Sequence, residues 1–254
     1  VLIGPAQNQR VMIIGGGPEG KPDKTHATER TDVVDLTAPH PAYVEGPPLC
    51  LGRMHLNSVL LPDRTVFVSG GSLKQESEPL ARLQAELYEP TADAWRLMAT
   101  ATVPRLYHST ALLLPDARVL AAGGNPEGGQ SVTWLPPDPE EEMRLEVFSP
   151  PYLFRGPRPI ISAAPDACRH GDSITVATPQ AATIRWVSLV RNGVTTHSFD
   201  AGQRLVDAPL TARGAKSLTV AVTGNPDLAP PGWYMLFLVD NQGVPSEAHW
   251  IHVS

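Results

Sequence analysis

Apolar positions in the first half of the chain form short strands that run into paired glycines. Residues 9–17 read Gln-Arg-Val-Met-Ile-Ile-Gly-Gly-Gly. The phrase returns as Leu61-Pro-Asp-Arg-Thr-Val-Phe-Val-Ser-Gly-Gly71 and as Leu114-Pro-Asp-Ala-Arg-Val-Leu-Ala-Ala-Gly-Gly124. The pairs begin at Gly15, Gly70 and Gly123, so the spacings are 55 and 53. A period near ~50 residues with a strand-Gly-Gly core predicts kelch-type β-propeller blades. The Pro-Asp segments read as turns feeding each inner strand, and the glycines let the backbone bend where strands crowd near the axis. Between the pairs lie outer strands, at Asp32–Leu36, Ala85–Tyr88 and from Trp95, with the polar turn Glu89–Ala94 among them. Residues 19–30 read as a surface loop. Gly15, Gly16, Gly17 and Gly20 do not make a dinucleotide loop, because Pro18 and Pro22 deny the helix it needs.

The pattern changes after Gly129. Three prolines, at 136, 137 and 139, lead to a last strand at Leu145–Phe148, and residues 149–159 read as an extended linker. Beyond Ile160 come alternating strands at Ser173–Val176, Thr183–Val190, Ser217–Val222, Trp233–Val239 and Trp250–Val253, separated by turns. Their spacing fits a β-sandwich of roughly 100 residues. The expectation is therefore an all-β chain: an incomplete propeller of about three blades over 1–149, then a sandwich over 150–254. A propeller needs typically about 4 to 8 blades to hide its edge strands. We expect the open edges to be covered by an N-terminal segment upstream of Val1 or by an oligomer.

Composition narrows the function classes. With 27 Pro and 21 Gly in 254 residues, turns are frequent and no helical stripe of useful length appears. A net charge of −6 argues against a nucleic-acid or anionic-membrane surface, which needs clustered Lys and Arg. No apolar run approaches the ~20 residues that span a bilayer, and no signal peptide opens the sequence. The run Glu140-Glu141-Glu142 reads as a solvated loop. Cys50 and Cys168 have neither CxxC spacing nor a disulfide framework, and read as two buried free thiols.

Candidate chemistry centres on Arg105-Leu-Tyr-His-Ser-Thr-Ala-Leu-Leu-Leu-Pro-Asp116. Tyr107 and His108 put a phenol oxygen and an imidazole nitrogen side by side, both ligands that Cu(II) accepts. Such a turn is also common in propeller repeats that hold no metal, and on this stretch alone that reading stands. His197, far downstream, changes the balance.

Taken together, four features resemble the galactose oxidase and glyoxal oxidase family of copper radical oxidases. They are the Tyr-His-Ser…Leu-Leu-Leu-Pro-Asp motif, Ser149-Pro-Pro-Tyr-Leu153, Thr196-His197 followed by Gln203-Arg204, and Pro231-Gly-Trp-Tyr-Met-Leu-Phe237 followed by Gly243-Val-Pro-Ser246. The resemblance implies a kelch propeller followed by an immunoglobulin-like domain whose hairpin carries a histidine to the metal. It implies one copper ion bound by Tyr107, His108 and His197, with Tyr107 also the catalytic proton acceptor. It further implies oxidation of a small alcohol or aldehyde by O2 to give H2O2, in a secreted or cell-surface protein.

The family's second redox centre, a tyrosine cross-linked to cysteine, has no matching motif here. It is expected upstream of this chain, which alone should then be inactive, and Cys50 with Tyr43 does not stand in the motif. The galactose-binding residues are not recognisable between Leu73 and Leu83, which favours a glyoxal-oxidase-like substrate. The rival is a non-catalytic propeller-sandwich module that binds glycan or protein. His55 sits one repeat before His108 and reads as a repeat-pattern residue at the start of a strand. His26, His40 and His170 fall in polar turns, His249 and His252 read as structural, and Trp186 and Trp233 read as sandwich core.

Overall fold

The computed structural model describes residues 1–17, 26–74, 77–124 and 142–254. Residues 18–20 of the rejected glycine motif, most of the polar loop, the three prolines after Gly129 and Glu140-Glu141 lie outside them. The chain is all-β. Three antiparallel sheets follow one another in the first half. The first joins β1 (Arg10–Ile14), β2 (Thr31–Asp35) and β3 (Val44–Glu45). The second joins β4 (Asn57–Leu60), β5 (Val66–Ser69), β6 (Gln84–Glu89) and β7 (Ala94–Thr100). The third joins β8 (Thr110–Leu113), β9 (Val119–Ala122) and β10 (Glu146–Phe148). Each is the up-and-down meander of a propeller blade.

The repeated turn has a local cause. Asp63 Oδ1 accepts from the Thr65 amide at 3.2 Å and from its hydroxyl, Leu61 N donates to Thr65 O at 3.0 Å, and Arg64 takes φ 71°. One repeat later Asp116 Oδ1 accepts from Arg118 N at 3.1 Å, Leu114 N donates to Arg118 O at 2.8 Å, and Ala117 takes φ 63°. An aspartate that caps the backbone two residues on is what these turns favour.

The glycine pairs serve blade-to-blade contact. Gly71 N donates to Arg105 O at 2.7 Å, and a Cβ on Gly70 (φ 70°) would lie 2.6 Å from that oxygen. Gly16 N donates to Arg53 O at 2.9 Å, and a Cβ on Gly15 would meet it at the same 2.6 Å. These two pairs therefore grip the backbone of the next repeat, at a distance only glycine permits, whereas Gly123 and Gly124 face the loop of their own repeat, near His108 O and Leu106 N.

The second half is a sandwich. One sheet has the order β11 (Ala167–Cys168), β18 (His249–Val253), β17 (Gly232–Asp240), β13 (Ile184–Arg191) and β14 (Leu205–Asp207). The other has the order β12 (Ser173–Ala177), β16 (Ser217–Ala221) and β15 (Leu210–Arg213). Side chains alternate across a strand, and β17 puts both faces to use. Tyr234, Leu236 and Leu238 enter the sandwich core, while Met235 and Phe237 join Leu60, Val66 and Phe67 of the blades. In β13, Leu189 and Val190 divide the same way, as do Val206 and Leu205 in β14. The five-stranded sheet is thus a wall shared by two cores, and its unbroken apolar run reflects burial on both sides.

Several side chains depart from the sequence reading. Residues 149–159 are not simply extended: Pro151–Phe154 form a 3-10 turn, and buried Tyr152 donates from its hydroxyl to Ala117 O at 2.6 Å. Trp233 is 54% exposed and stands against His252 rather than in the core. Trp186 lies under the Arg64 guanidinium and donates to Pro62 O at 3.3 Å, so it serves the join between the halves. Both thiols are free, but Cys50 is exposed and only Cys168 is buried. The N-terminal turn Ala6–Asn8 leans on the sandwich, where Ala6 joins the core and Gln7 bonds the Asp207 backbone in both directions.

Candidate metal centre

Two arginine-led loops set the site. In the second blade Arg53 is fully buried and donates to Gly70 O at 3.1 Å, Gln84 O at 2.9 Å and Glu86 Oε1 at 2.7 Å. Glu86 returns the hold, accepting from Cys50 N at 2.6 Å and Leu51 N at 3.2 Å. In the third blade Arg105 donates to Gly123 O at 3.0 Å and Arg144 O at 2.7 Å. Its carboxylate neighbour Glu146 is engaged with Thr102 through Oε1 and leaves Oε2 3.5 Å from the guanidinium, a looser pairing than the one below Arg53. Desolvation pulls both guanidinium pKa values below the ordinary value, and the adjacent carboxylates oppose that.

The loops differ by one residue. From the arginine to the histidine the second blade reads Arg53-Met-His55, the third Arg105-Leu-Tyr-His108. His55 and His108 nevertheless share a left-handed backbone, at φ 58° and 62°. That conformation turns the chain out of the pleat just before β8, so that neighbouring side chains lie together instead of on opposite faces. The Tyr107 and His108 rings stack, with centroids 3.9 Å apart and planes at 30°. Asn57 Nδ2 donates to Ser109 Oγ at 2.9 Å, a buried bond that ties the residue after His108 to the neighbouring blade.

His197 arrives from the sandwich at the tip of a hairpin. Thr196 and Phe199 exchange both backbone hydrogen bonds at 2.9 Å, with His197 (φ 52°) and Ser198 (φ 60°) between them. Two successive positive φ values make a type I′ turn. Asn192–Gly193, the pair that predicts a hairpin turn, is not the tip. Gly193 instead gives room: a Cβ there would lie 2.8 Å from Asp200 Oδ2 and 3.0 Å from Leu112 Cδ2. Asp200 braces the hairpin base, accepting from Val194, Gly202 and Gln203 amides at 2.9, 3.0 and 2.9 Å. Thr195 Oγ1 reaches Ala111 O on β8 at 3.3 Å.

These elements bring Tyr107, His108 and His197 together. His197 stands edge-on to both partners, with centroids 5.0 Å from His108 at 88° and 5.6 Å from Tyr107 at 68°. Thr196 Oγ1 hydrogen-bonds His197 Nδ1 at 2.7 Å and leaves Nε2 as the uncommitted nitrogen, the usual way a ligand histidine is oriented. Among the described residues the Tyr107 hydroxyl and the His108 ring nitrogens have no hydrogen-bond partner. No three His, Cys, Asp or Glu side chains gather as a metal site among those residues, so a third donor here would be the phenol. One oxygen and two nitrogens suit a tetragonal Cu(II) ion. Edge-on imidazoles at this spacing can each turn a nitrogen to one ion about 2 Å away.

His55 is the neighbour that the sequence reading set aside. Its ring stands edge-on to Tyr107 with centroids 5.2 Å apart. The available signal was its register with His108, which the repeat explained without a role.

The description "Glyoxal oxidase N-terminus" matches residues 4–152, more than half of the chain. The chain belongs to the glyoxal oxidase and galactose oxidase family. Residues 158–253 match the galactose oxidase-like early set domain. Among curated relatives of this oxidase family, the aldehyde oxidase GLOX of Vitis pseudoreticulata is 34% identical over 96% of the chain and 50% of its own length. Galactose oxidase of Gibberella zeae is 29% identical over 96% of the chain and 36% of its own length. The chain superposes on a fungal alcohol oxidase in complex with copper at TM-score 0.86 and 30% identity, covering 98% of this chain and 52% of that one. It thus spans about half the length of the aldehyde and alcohol oxidases, and less of galactose oxidase.

Proposed function

We propose that this chain carries the copper-binding end of an oxidase that converts a small alcohol or aldehyde and O2 into the oxidised product and H2O2. The reading places the propeller part at 1–149 and the sandwich at 150–254, in a secreted or cell-surface protein. The observation that supports it best is the meeting of Tyr107, His108 and His197 from two halves of the chain, in a member of a family whose solved relative binds copper. His108 and His197 would hold the ion through ring nitrogens and Tyr107 through its phenol oxygen. Copper bound there supplies a Lewis acid and a one-electron acceptor.

Tyr107 would take the hydroxyl proton of the substrate, since a phenolate can serve as a general base at hydrogen-bond reach. The balance is RCH2OH + O2 → RCHO + H2O2, or RCH(OH)2 + O2 → RCOOH + H2O2 for an aldehyde hydrate. The second electron needs another redox group. Cys50 Sγ is turned to Trp95 O at 3.7 Å and Cys168 lies in the sandwich core. We therefore assign the tyrosine-cysteine centre to sequence outside these residues, and the chain alone should make no peroxide. Of the relatives' named substrates, small aldehydes and alcohols fit better than galactose, whose binding residues are not recognisable between Leu73 and Leu83.

Titrating the purified chain with Cu(II) under electron paramagnetic resonance tests the site. One tightly bound copper per chain, with nitrogen couplings lost in H108A and H197A, is expected. Copper uptake unchanged by H108A, H197A and Y107F would leave the glycan- or protein-binding module in its place.

A further inference from the structure

Three histidines surround the Tyr107 ring, and all three have positive φ: His55 at 58°, His108 at 62° and His197 at 52°. Residues other than glycine seldom adopt that conformation, and where they do at a cluster of polar groups a role is the natural inference. His108 and His197 are absorbed by the proposed metal site. His55 is not.

The backbone of His55 is held on both sides. Just before it, Met54 and Ser72 exchange hydrogen bonds at 3.0 and 3.1 Å, above the buried Arg53–Glu86 pair. Just after it, buried Leu56 and Asn57 lead into β4. The half-buried imidazole is therefore carried on a fixed loop, and it meets Tyr107 edge-on at 67°. His108 covers a face of the same phenol at 3.9 Å. A ring stacked by its own chain neighbour can still rock about its side-chain bonds. A second aromatic group standing edge-on from another blade opposes that motion, and edge-on contact is a favoured geometry for two rings.

We propose that His55 is a positioning residue that fixes the plane of the Tyr107 phenol beside His108 and His197. This rests on the reading of Tyr107 as the oxygen donor of the site. It also puts a side chain of the second blade against a ring of a centre whose proposed donors come from the third blade and the sandwich. A donor that must be held within a narrow range of orientation needs support of this kind.

The test uses the full 254-residue chain with isotope-labelled tyrosine rings, the Tyr107 signal being assigned through Y107F. H55N removes the ring contact but retains a residue tolerant of positive φ, and H55F retains an edge-on aromatic ring. In H55N the Tyr107 signals should move and ring flipping should quicken at least tenfold, with the other tyrosines unmoved. In H55F the flip rate should return close to that of the parent. A flip rate in H55N equal to the parent's, or one not restored in H55F, overturns the proposal. Copper loading forms a separate arm, in which the Cu(II) spectrum should shift in H55N and recover in H55F. Should the parent bind no copper, the metal reading falls while the ring-flip result still decides the role of His55.

Discussion

The His108 and His197 rings meet at 88° with centroids 5.0 Å apart, although one belongs to a propeller blade and the other to the sandwich. Both sit in left-handed backbone, and at His197 the following Ser198 does so as well, at φ 60°. The histidine is thus held at the end of a two-residue turn whose second position resists a branched side chain. Ser198→Gly should keep the turn and leave copper uptake unchanged. Ser198→Val should cost about 1–2 kcal/mol, the usual penalty for a Cβ in that region, and weaken copper binding several-fold. Copper titration alongside denaturant unfolding of the two variants checks both expectations.

A second prediction concerns the pair beneath His55. Arg53 and Glu86 have fully buried side chains 2.7 Å apart, and each also bonds backbone groups of the loop or its sheet. Removing one charge leaves the other desolvated and uncompensated, which costs ~3–5 kcal/mol. Glu86→Gln should therefore lower the unfolding midpoint sharply. The double change to Met at 53 and Leu at 86 should recover part of that loss, because it buries no charge.

The pH dependence follows from Cys168. Burial, helped by Asp172, pushes its thiol up to about 11 from an ordinary 9.0. A group whose pKa is higher in the folded state holds its proton longer there than in the unfolded chain. Its contribution is complete below pH 9 and is lost as pH rises toward 11. Stability measured across that window should fall more steeply in the parent than in Cys168→Ala. Alkylation of the folded chain near pH 8 should take place at exposed Cys50 and spare Cys168.

The repeat made most of the fold legible, because the turns and glycine pairs depend on local chemistry that recurs in sequence. Tyr107, His108 and His197 were legible through a resemblance, and the structure brings their rings together. What stayed hidden depends on distant contacts. Asn192-Gly193 is a stronger local turn signal than His197-Ser198, yet the tip forms where Asp200 and β8 place it. Gly193 is there for space. Trp233 looked like core because β17 is apolar throughout, but that run serves two cores and ends at the surface. His55 fits the repeat so well that its place against Tyr107 emerges only once the second and third blades are packed together.

The last prediction concerns how the sandwich is registered on the blades. β4 is an edge strand, and an edge presents unpaired amide and carbonyl groups. Gln203, at the base of the His197 hairpin, fills that place with its side-chain amide. Its Oε1 accepts from Leu60 N at 2.5 Å and its Nε2 donates to Ser58 O at 3.0 Å. One side chain thus imitates a strand residue and fixes the hairpin along the axis direction of the blade. Gln203→Leu should leave both backbone groups without partners, at about 1–3 kcal/mol for each buried group left unmade. Gln203→Glu should keep the acceptor for Leu60 N but set a carboxylate against Ser58 O, so it should lose the second bond and gain a repulsion. Amide hydrogen exchange separates these outcomes. The Leu60 amide should exchange much faster in Gln203→Leu than in the parent, and at close to the parent rate in Gln203→Glu. Both variants should bind copper more weakly, because the hairpin that carries His197 loses its anchor. Unchanged Leu60 protection in Gln203→Leu would mean that the apolar contacts of Met235 and Phe237 hold the sandwich in place without it.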